Sequence, residues 1–307
     1  MPDNKPDQTV TYRGRFAPSP TGPLHAGSIM AALASYLDAR SHRGSWLLRI
    51  EDLDPPRESP EAAARILHDL EALGLYWDGP VFYQSQRHDA YDAAIAQLAS
   101  GGRTFWCNCS RQALADSNGH YPGTCRSLGL AAGTGRALRC KLPATRIEFM
   151  DGIQGPQEQR AQQDVGDFIV RRRDGLHAYQ LAVVVDDAWQ GITHVVRGID
   201  LLDCTPRQIH LQQLMGYPTP EYAHIPVLVN PQGQKLSKQS FAAAIPAEDP
   251  AGVLYDALVR LQQQPDPQLR HADPGSVLDW AISHWQPQRM AGLQVVPEVS
   301  AFDAAGV

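Results

Sequence analysis

The sequence predicts an α/β fold built around a parallel sheet, and two stretches near its start carry this prediction. Residues 11–16 are short and β-prone, a turn rich in proline and glycine follows at 18–23, and apolar residues then recur at helical spacing. Residues 45–50 form a second apolar run, which ends in acidic residues. A strand, a glycine-containing turn, a helix and a second strand in this order open a βαβ unit.

The same periodicities predict further elements along the chain. Ser59 and Pro60 are a capping hydroxyl and a first-turn proline, so a helix begins there, and Gly74 ends it. The other predicted elements are a helix at 86–99, a strand at 168–172, a helix from about Ala178, strands at 193–196 and 225–230, and helical patterns at 250–263 and 276–286.

The composition excludes several classes of function. A net charge of −6 and a pI of about 6.0 argue against nucleic-acid binding driven by overall charge. Residues 1–10 lack the apolar stretch of a secretory signal and no long apolar run occurs, so we expect a cytoplasmic protein without a membrane span. The five cysteines are an odd number, which does not suggest a disulfide framework, and three of them lie between residues 107 and 125.

The strongest motif runs from Arg15 to Ser28 and reads RFAPSPTGPLHAGS. A strand end followed by a proline- and glycine-containing turn presents backbone N–H groups at a helix N-terminus, which bind phosphate. Gly27 allows a nucleotide to approach the backbone, and His25 can donate a hydrogen bond to phosphate oxygens. The alternative is a proline-rich loop with a capping histidine.

A second motif, KLSKQ, follows the last predicted strand of the sheet. Lys235 and Lys238 place two ammonium groups around the hydroxyl of Ser237, an arrangement that suits a pyrophosphate leaving group. An exposed basic turn is the alternative. The two motifs stand far apart and in the order that a nucleotide site requires.

Together these motifs resemble the two signatures of class I aminoacyl-tRNA synthetases, and the first resembles the glutamyl/glutaminyl branch. The likeness covers residues 13–240 and continues through the stretches at 48–54, 178–187 and 193–198. It departs at Ser28 and Gln239, where many members have histidine and serine. The resemblance implies a Rossmann-type catalytic domain, Mg²⁺ with ATP, catalysis by His25, Lys235 and Lys238, and ATP binding by Pro18, His25, Gly27, Ser28, Lys235, Ser237 and Lys238.

The resemblance also implies a pocket for L-glutamate. Glutamate carries two carboxylates and one ammonium, so a selective pocket needs cations for the former, as Arg15 and Arg197 supply, and an acid for the latter, as Glu51 supplies. Without the resemblance, a surface arginine is the favoured interpretation of Arg197, and a solvated strand end is the favoured interpretation of Glu51. The implied glutamate-binding residues are Arg15, Phe16, Ala17, Pro18, Ser19, Glu51, Tyr179 and Arg197.

The three clustered cysteines, Cys107, Cys109 and Cys125, predict one structural Zn²⁺ that needs a fourth ligand. Ligand chemistry alone favours His120. The pattern C-x-C-x11-Y-x3-C, however, resembles the glutamyl-Q tRNA(Asp) synthetases, a family of compact synthetase paralogues, and implies Tyr121 instead. Free cysteines in an insertion are the alternative.

The expected organisation has four parts and no anticodon-binding domain. Residues 11–100 and 166–240 are the two halves of the nucleotide-binding domain, 101–165 an inserted zinc-binding subdomain of the acceptor type, and 241–307 a short helical region. The shortened chain and the zinc pattern both resemble the glutamyl-Q family, which implies ATP-dependent transfer of glutamate to queuosine in tRNA(Asp), by a monomer. An ordinary glutamyl-tRNA synthetase and a non-catalytic RNA-binding relative are the alternatives.

Overall fold

The computed structural model describes residues 11–110, 112–117, 120–230, 232–233 and 249–298. Lys235, Ser237 and Lys238 lie outside these described residues. The strands are β1 Arg13–Phe16, β2 Ser45–Ile50, β3 Phe82–Tyr83, β4 Thr104–Cys107, β5 Ala137–Cys140, β6 Ile147–Asp151, β7 Gly155–Gln159, β8 Phe168–Arg171, β9 His194–Gly198, β10 Glu221–Ile225, β11 Val227–Val229 and β12 Val295–Pro297. The helices are α1 Ala26–Ser41, α2 Pro60–Ala72, α3 His88–Ser100, α4 Ala161–Asp164, α5 Tyr179–Gln190, α6 Thr205–Met215, α7 Pro250–Arg260 and α8 Pro274–His284.

Parallel strands form the centre of the fold. One sheet has the order β1-β2-β3 and a second has the order β7-β6-β10-β9, in which β9 and β10 are parallel. The Thr193 N–H donates to the Arg13 carbonyl at 2.9 Å, so the chain entering β9 lies beside β1 and links the two sheets. The strand order therefore reverses between β1 and β9, and such a switch point is where open α/β sheets bind ligands.

Helices cover both faces of this central sheet. On β2, Trp46 and Leu48 belong to a core shared with α1, α2, α7 and α8, whereas Leu47 packs against a second core built by α3, α5 and α6. Val196 and Val195 divide in the same way on β9. Because successive residues of a strand face opposite sides, this division gives a three-layer α/β/α arrangement.

Local chemistry sets the helix starts. The Ser59 hydroxyl accepts the Ala62 N–H at 3.0 Å and caps α2 as the sequence predicted. Asp249 and Asp273 cap α7 and α8 in the same way, each followed by a proline in the first turn. No helix in the described part of the chain combines the length and apolarity that crossing a membrane requires.

The segment 101–165, predicted as an insertion that leaves the sheet, shares strands with the rest of the chain. β4 and β5 form an antiparallel sheet with β8, and the β6–β7 hairpin joins the edge of β10 through parallel pairing of β6. Only Ile225 of the predicted strand at 225–230 belongs to β10, because Pro226 has no N–H and ends the pairing of that strand. The rest of the range contains β11, which pairs with β12; the sequence predicted neither β12 nor the first four residues of β10.

Candidate functional site

A cavity of about 480 Å³ opens at the switch point between β1 and β9. Its walls come from the carboxyl ends of the parallel strands, the turn before α1 and the first turn of α5. The structure brings into this one cavity the residues predicted for glutamate and for ATP, except the three lysine-motif residues outside the described chain. The predicted residues that line it are Arg15, Phe16, Ala17, Pro18, Ser19, His25, Gly27, Ser28, Glu51, Tyr179 and Arg197.

His25 is the N-cap of α1, and Ser28 completes a reciprocal capping pair with it. The His25 N–H donates to the Ser28 hydroxyl at 2.7 Å, and the Ser28 N–H donates to His25 Nδ1 at 3.3 Å. Because Nδ1 accepts this bond, the proton of the neutral imidazole is on Nε2. Ser28 thus orients the His25 ring at the positive end of the helix.

Gly27 leaves room for that ring. A Cβ atom at Gly27 would lie 3.2 Å from His25 Cε1 and 3.3 Å from Nδ1, tighter than ordinary contact. A side chain at position 27 would therefore push the imidazole out of its capping position. This is a second reason for glycine here, besides the access to the backbone expected from the sequence.

A buried network of charges extends from two residues of the cavity lining, Arg15 and Glu51, to Arg49 and Asp187. Asp187, on α5, accepts from Arg15 Nε and Nη2 at 3.2 and 3.3 Å and from Arg49 Nη1 at 2.8 Å. Arg49 Nη2 also donates to Glu51 at 3.2 Å. All four side chains are less than 9% exposed, so these ions have few contacts with solvent. The network joins two strands to the helix that covers them.

The two carboxyl groups of this network differ in their electrostatic surroundings. Burial alone would raise the pKa of Asp187, but the two guanidinium groups of Arg15 and Arg49 outweigh it and hold that pKa below its ordinary value. Burial raises the pKa of Glu51, against the opposing effects of Arg49 and Arg15. Asp187 is thus a fixed anion, whereas Glu51 gains from a further cation such as a substrate ammonium.

The charges at the site suit an anionic amino acid. Arg15 and Arg197 line the cavity as cations, and Glu51 lines it as an acid. A guanidinium attracts the side-chain carboxylate of glutamate more strongly than the neutral amide of glutamine. Electrostatics in such a buried site are little screened by solvent.

Arg197 enters the cavity from the end of β9 with its guanidinium held on several sides. Nε donates to His224 Nε2 at 3.0 Å, Nη1 to Gln208 at 2.9 Å and Nη2 to Thr205 at 2.8 Å. The Tyr179 hydroxyl is a longer partner at 3.4 Å. Burial raises the pKa of Tyr179, so its phenol stays protonated and can donate to a ligand.

Sequence reasoning missed five residues of these networks, namely Arg49, Asp187, Thr205, Gln208 and His224. Arg49 and Asp187 lie within the stretches that carry the family resemblance, yet they are 138 positions apart and no spacing rule connects them. A signal was available at Arg49, because an arginine inside an apolar strand must find a buried partner. Nothing in the sequence marks His224.

The predicted metal residues also come together, away from the cavity, where β4 ends. The Sγ atoms of Cys107, Cys109 and Cys125 lie within 4.8 Å of one another, and all three cysteines are free thiols. The phenol oxygen of Tyr121 is 3.5 Å from Cys107 Sγ and accepts the Cys125 N–H at 2.8 Å. His120 is turned elsewhere, with Nε2 3.1 Å from the Gln162 carbonyl.

The thiol cluster is suited to a cation. Burial would raise the pKa of Cys107, but hydrogen bonds from Tyr121, the Cys109 backbone and Arg139 outweigh it and lower that pKa to about 7. The Arg139 guanidinium lies 3.8 Å from the centre of the Tyr121 ring. The three cysteines could therefore hold a metal ion.

The fold and site define a nucleotide-binding α/β protein, and the comparisons with known proteins place it in a family. The family model for the catalytic domain of class I tRNA synthetases (E and Q) matches residues 11–261. The chain therefore belongs to this family of class I tRNA synthetases, which are ATP-dependent ligases. The α/β catalytic-domain fold predicted from the sequence is confirmed, whereas the zinc insertion stays a prediction.

Curated relatives narrow the resemblance. The chain is 51% identical over 296 residues to the glutamyl-Q tRNA(Asp) synthetase of Pseudomonas putida (strain KT2440), covering 95% of this chain and 98% of that protein. It is 52% identical over 287 residues to the protein of the same name from Pseudomonas entomophila (strain L48), covering 94% and 97%. The resemblance to the glutamyl-Q family is confirmed by these relatives.

A solved structure agrees with the fold. A glutamate tRNA ligase from Elizabethkingia meningosepticum, crystallised in complex with its amino acid, matches with a TM-score of 0.81 at 26% identity. The match covers 96% of this chain and 68% of that one.

Proposed function

We propose that this protein activates L-glutamate with ATP and transfers it to queuosine in tRNA(Asp). The observation that carries the proposal is the cavity at the switch point, where anchored guanidinium groups and a buried carboxyl face a capped helix N-terminus. The names of the relatives, at about half identity over nearly the whole of both chains, supply the acceptor.

In the first step an oxygen of the glutamate α-carboxylate attacks the α-phosphorus of ATP. The bond to the bridging oxygen breaks, pyrophosphate leaves, and a mixed anhydride with AMP remains. In the second step a hydroxyl of the cyclopentenediol of queuosine attacks the glutamyl carbonyl, AMP leaves with the bonding electrons, and the hydroxyl proton passes to solvent. Neither step needs a protein nucleophile, so catalysis consists of positioning and of electrostatic stabilisation.

In the proposed glutamate pocket, cations bind the carboxylates and an acid binds the ammonium. Arg15 and Arg197 take the two substrate carboxylates, and Glu51 takes the ammonium, which restores the ionised state that burial opposes. The hydroxyl of Tyr179, at the start of α5, donates to the same ligand. Because a guanidinium binds a carboxylate more strongly than a neutral amide, the pocket favours glutamate over glutamine.

The nucleotide lies at the N-terminus of α1. Backbone N–H groups of the first turn and the helix dipole attract phosphate, and the Nε2 proton of His25 meets charge that grows on the α-phosphate. The resemblance implies that Lys235 and Lys238 bind the pyrophosphate. Mg²⁺ bound with ATP would neutralise phosphate charge.

The thiol cluster is proposed as a zinc centre. Cys107, Cys109 and Cys125 supply three sulfur ligands, and the position of the Tyr121 oxygen beside Cys107 Sγ favours it over His120 as the fourth. Four protein ligands leave no open position, so the ion would be structural. Purified protein should contain one zinc per chain, and the Cys125→Ser variant should lose it; full zinc retention in that variant would remove Cys125 from the ligand set.

Pyrophosphate exchange tests the activation step. Labelled pyrophosphate should enter ATP when glutamate is present, and much more slowly with glutamine or aspartate. Glutamine matches glutamate in shape and differs in charge, so it is the matched control for the charge argument. Equal exchange with glutamine would refute the assignment of the pocket to glutamate.

A further inference from the structure

A buried series of hydrogen bonds connects Arg197 to residues outside the cavity lining. His224 Nε2 accepts from Arg197 Nε at 3.0 Å, and His224 Nδ1 lies 2.5 Å from Asp151 Oδ2. The exposed fractions are 2% for Asp151, 0% for His224 and 5% for Arg197. Asp151 and His224 do not line the cavity, so they act on a ligand only through Arg197.

The contacts determine which group donates and which accepts in each of these hydrogen bonds. A guanidinium nitrogen donates and cannot accept, so His224 Nε2 must carry a lone pair. The proton of the neutral ring is then on Nδ1 and is donated to Asp151, which must be ionised to accept it together with backbone bonds. The other Asp151 oxygen accepts the N–H groups of Ile153, Gln154 and His224 at 3.0, 2.9 and 3.1 Å.

These contacts limit the orientation of the guanidinium plane. Thr205 and Gln208 hold its terminal nitrogens, and the Tyr222 ring lies 5.3 Å from the guanidinium carbon. The Arg197 Nε bond to His224 sets the rotation about the end of the side chain. A carboxylate recognised by guanidinium needs that plane in a defined orientation, and a small misplacement lowers affinity steeply.

We propose that Asp151 and His224 are positioning residues, which fix the histidine tautomer that holds Arg197 in place for a carboxylate of the amino-acid substrate. This inference rests on the proposed function, in which Arg197 binds glutamate. It assigns a role to two buried side chains of β6 and β10 that never touch the substrate.

Asp151→Asn tests the inference with almost no change in shape. The asparagine carbonyl keeps the three backbone N–H bonds, which leaves its NH₂ group facing His224 Nδ1. The ring must then accept at Nδ1 and carry its proton on Nε2, where it opposes the Arg197 Nε–H. The KM for glutamate in pyrophosphate exchange should rise roughly tenfold to a hundredfold, while the KM for ATP changes by less than about twofold.

A second variant separates tautomer control from loss of structure. In His224→Gln the side-chain carbonyl can accept from Arg197 without help from Asp151, so the rise in glutamate KM should be smaller. When Asp151→Asn is added to the His224→Gln variant, the KM for glutamate should rise by less than about threefold. This rise is well below the one that Asp151→Asn causes in the parent protein. Equal effects of Asp151→Asn in both backgrounds would refute tautomer control.

His210→Gln is the matched control. His210 is also buried, and its Nε2 lies 2.9 Å from the Lys141 carbonyl, away from the cavity. The His210→Gln substitution should leave the KM for glutamate unchanged. An unchanged KM for glutamate in Asp151→Asn would refute the inference while the proposed function stands, provided Arg197→Gln still raises that KM. If Arg197→Gln has no effect on it either, the proposed pocket itself is wrong.

Discussion

The Asp187→Asn substitution should destabilise the protein more than any surface charge change. Asn has the shape of Asp but no charge, and it leaves Arg15 and Arg49 buried with one compensating carboxylate fewer. Breaking one partner of a buried ionic network costs about 3–5 kcal/mol of unfolding free energy. At roughly 2 °C per kcal/mol for a chain of this size, the melting temperature should fall by about 6–10 °C.

A matched surface pair provides the control. Glu158 accepts from Arg146 at 2.9 Å, but the two side chains are 59% and 46% exposed. Glu158→Gln removes the same charge in the same isosteric way and should cost less than about 1 kcal/mol. Thermal unfolding of both variants beside the parent is the assay. If Asp187→Asn melts within a degree or two of Glu158→Gln, the buried network does not hold α5 to the sheet.

The difference in unfolding free energy between the parent protein and Asp187→Asn should become smaller at acidic pH. The folded-state pKa of Asp187 is held below its ordinary value of 3.8, so its contribution to stability is present above that value and is lost as the pH falls through the folded pKa. The gap in unfolding free energy between parent and Asp187→Asn should be constant from about pH 5 to 7 and should narrow below about pH 4. A gap that widens on acidification would contradict the assignment of Asp187 as the fixed anion.

Two further substitutions address the nucleotide side of the cavity. Gly27→Ala should lower the rate of pyrophosphate exchange roughly tenfold, because the added methyl would lie 3.2 Å from the His25 ring. Gly133→Ala is the control, because the methyl there makes only ordinary contacts. Equal exchange rates in the two variants would contradict the role of the capping geometry. Lys238→Ala should lower kcat by about a hundredfold, since one such donor contributes about 3 kcal/mol to transition-state stabilisation. The KM for glutamate should change little. If only that KM rises and kcat is unchanged, Lys238 contacts the substrate in the ground state alone.

Local signals predicted much of the fold and part of the site. Ser59 before Pro60 predicted the start of α2, and the three prolines and one glycine in the turn before His25 predicted a helix N-terminus there. These features depend on residues close together in the chain. The sequence did not predict strands β3 to β7 and β12, most of β10, or helices α4 and α6. Among these, β3 has two residues and β12 three, and such short strands exist only through their partners and have no periodicity of their own.

The supporting layer of the site could not be read from the sequence for a related reason. His224 and Asp151 are 73 positions apart, and they meet only because β6 lies beside β10. The residues proposed to bind substrate fall in recognisable motifs, whereas the residues that hold them in place depend on the packing of distant strands. The resemblance therefore supplied Arg197 but not the groups that orient it.

The acceptor is the most direct test of the proposed function. Glutamate, ATP and the protein should be incubated with tRNA(Asp) bearing queuosine, tRNA(Asp) lacking it, and tRNA(Glu), and labelled glutamate in RNA measured. Only the first should be labelled, and after cleavage of the labelled tRNA the label should remain with the anticodon fragment and not with the 3′ end. Equal labelling of tRNA(Asp) without queuosine, or efficient labelling of tRNA(Glu), would contradict the account and identify an ordinary glutamyl-tRNA synthetase.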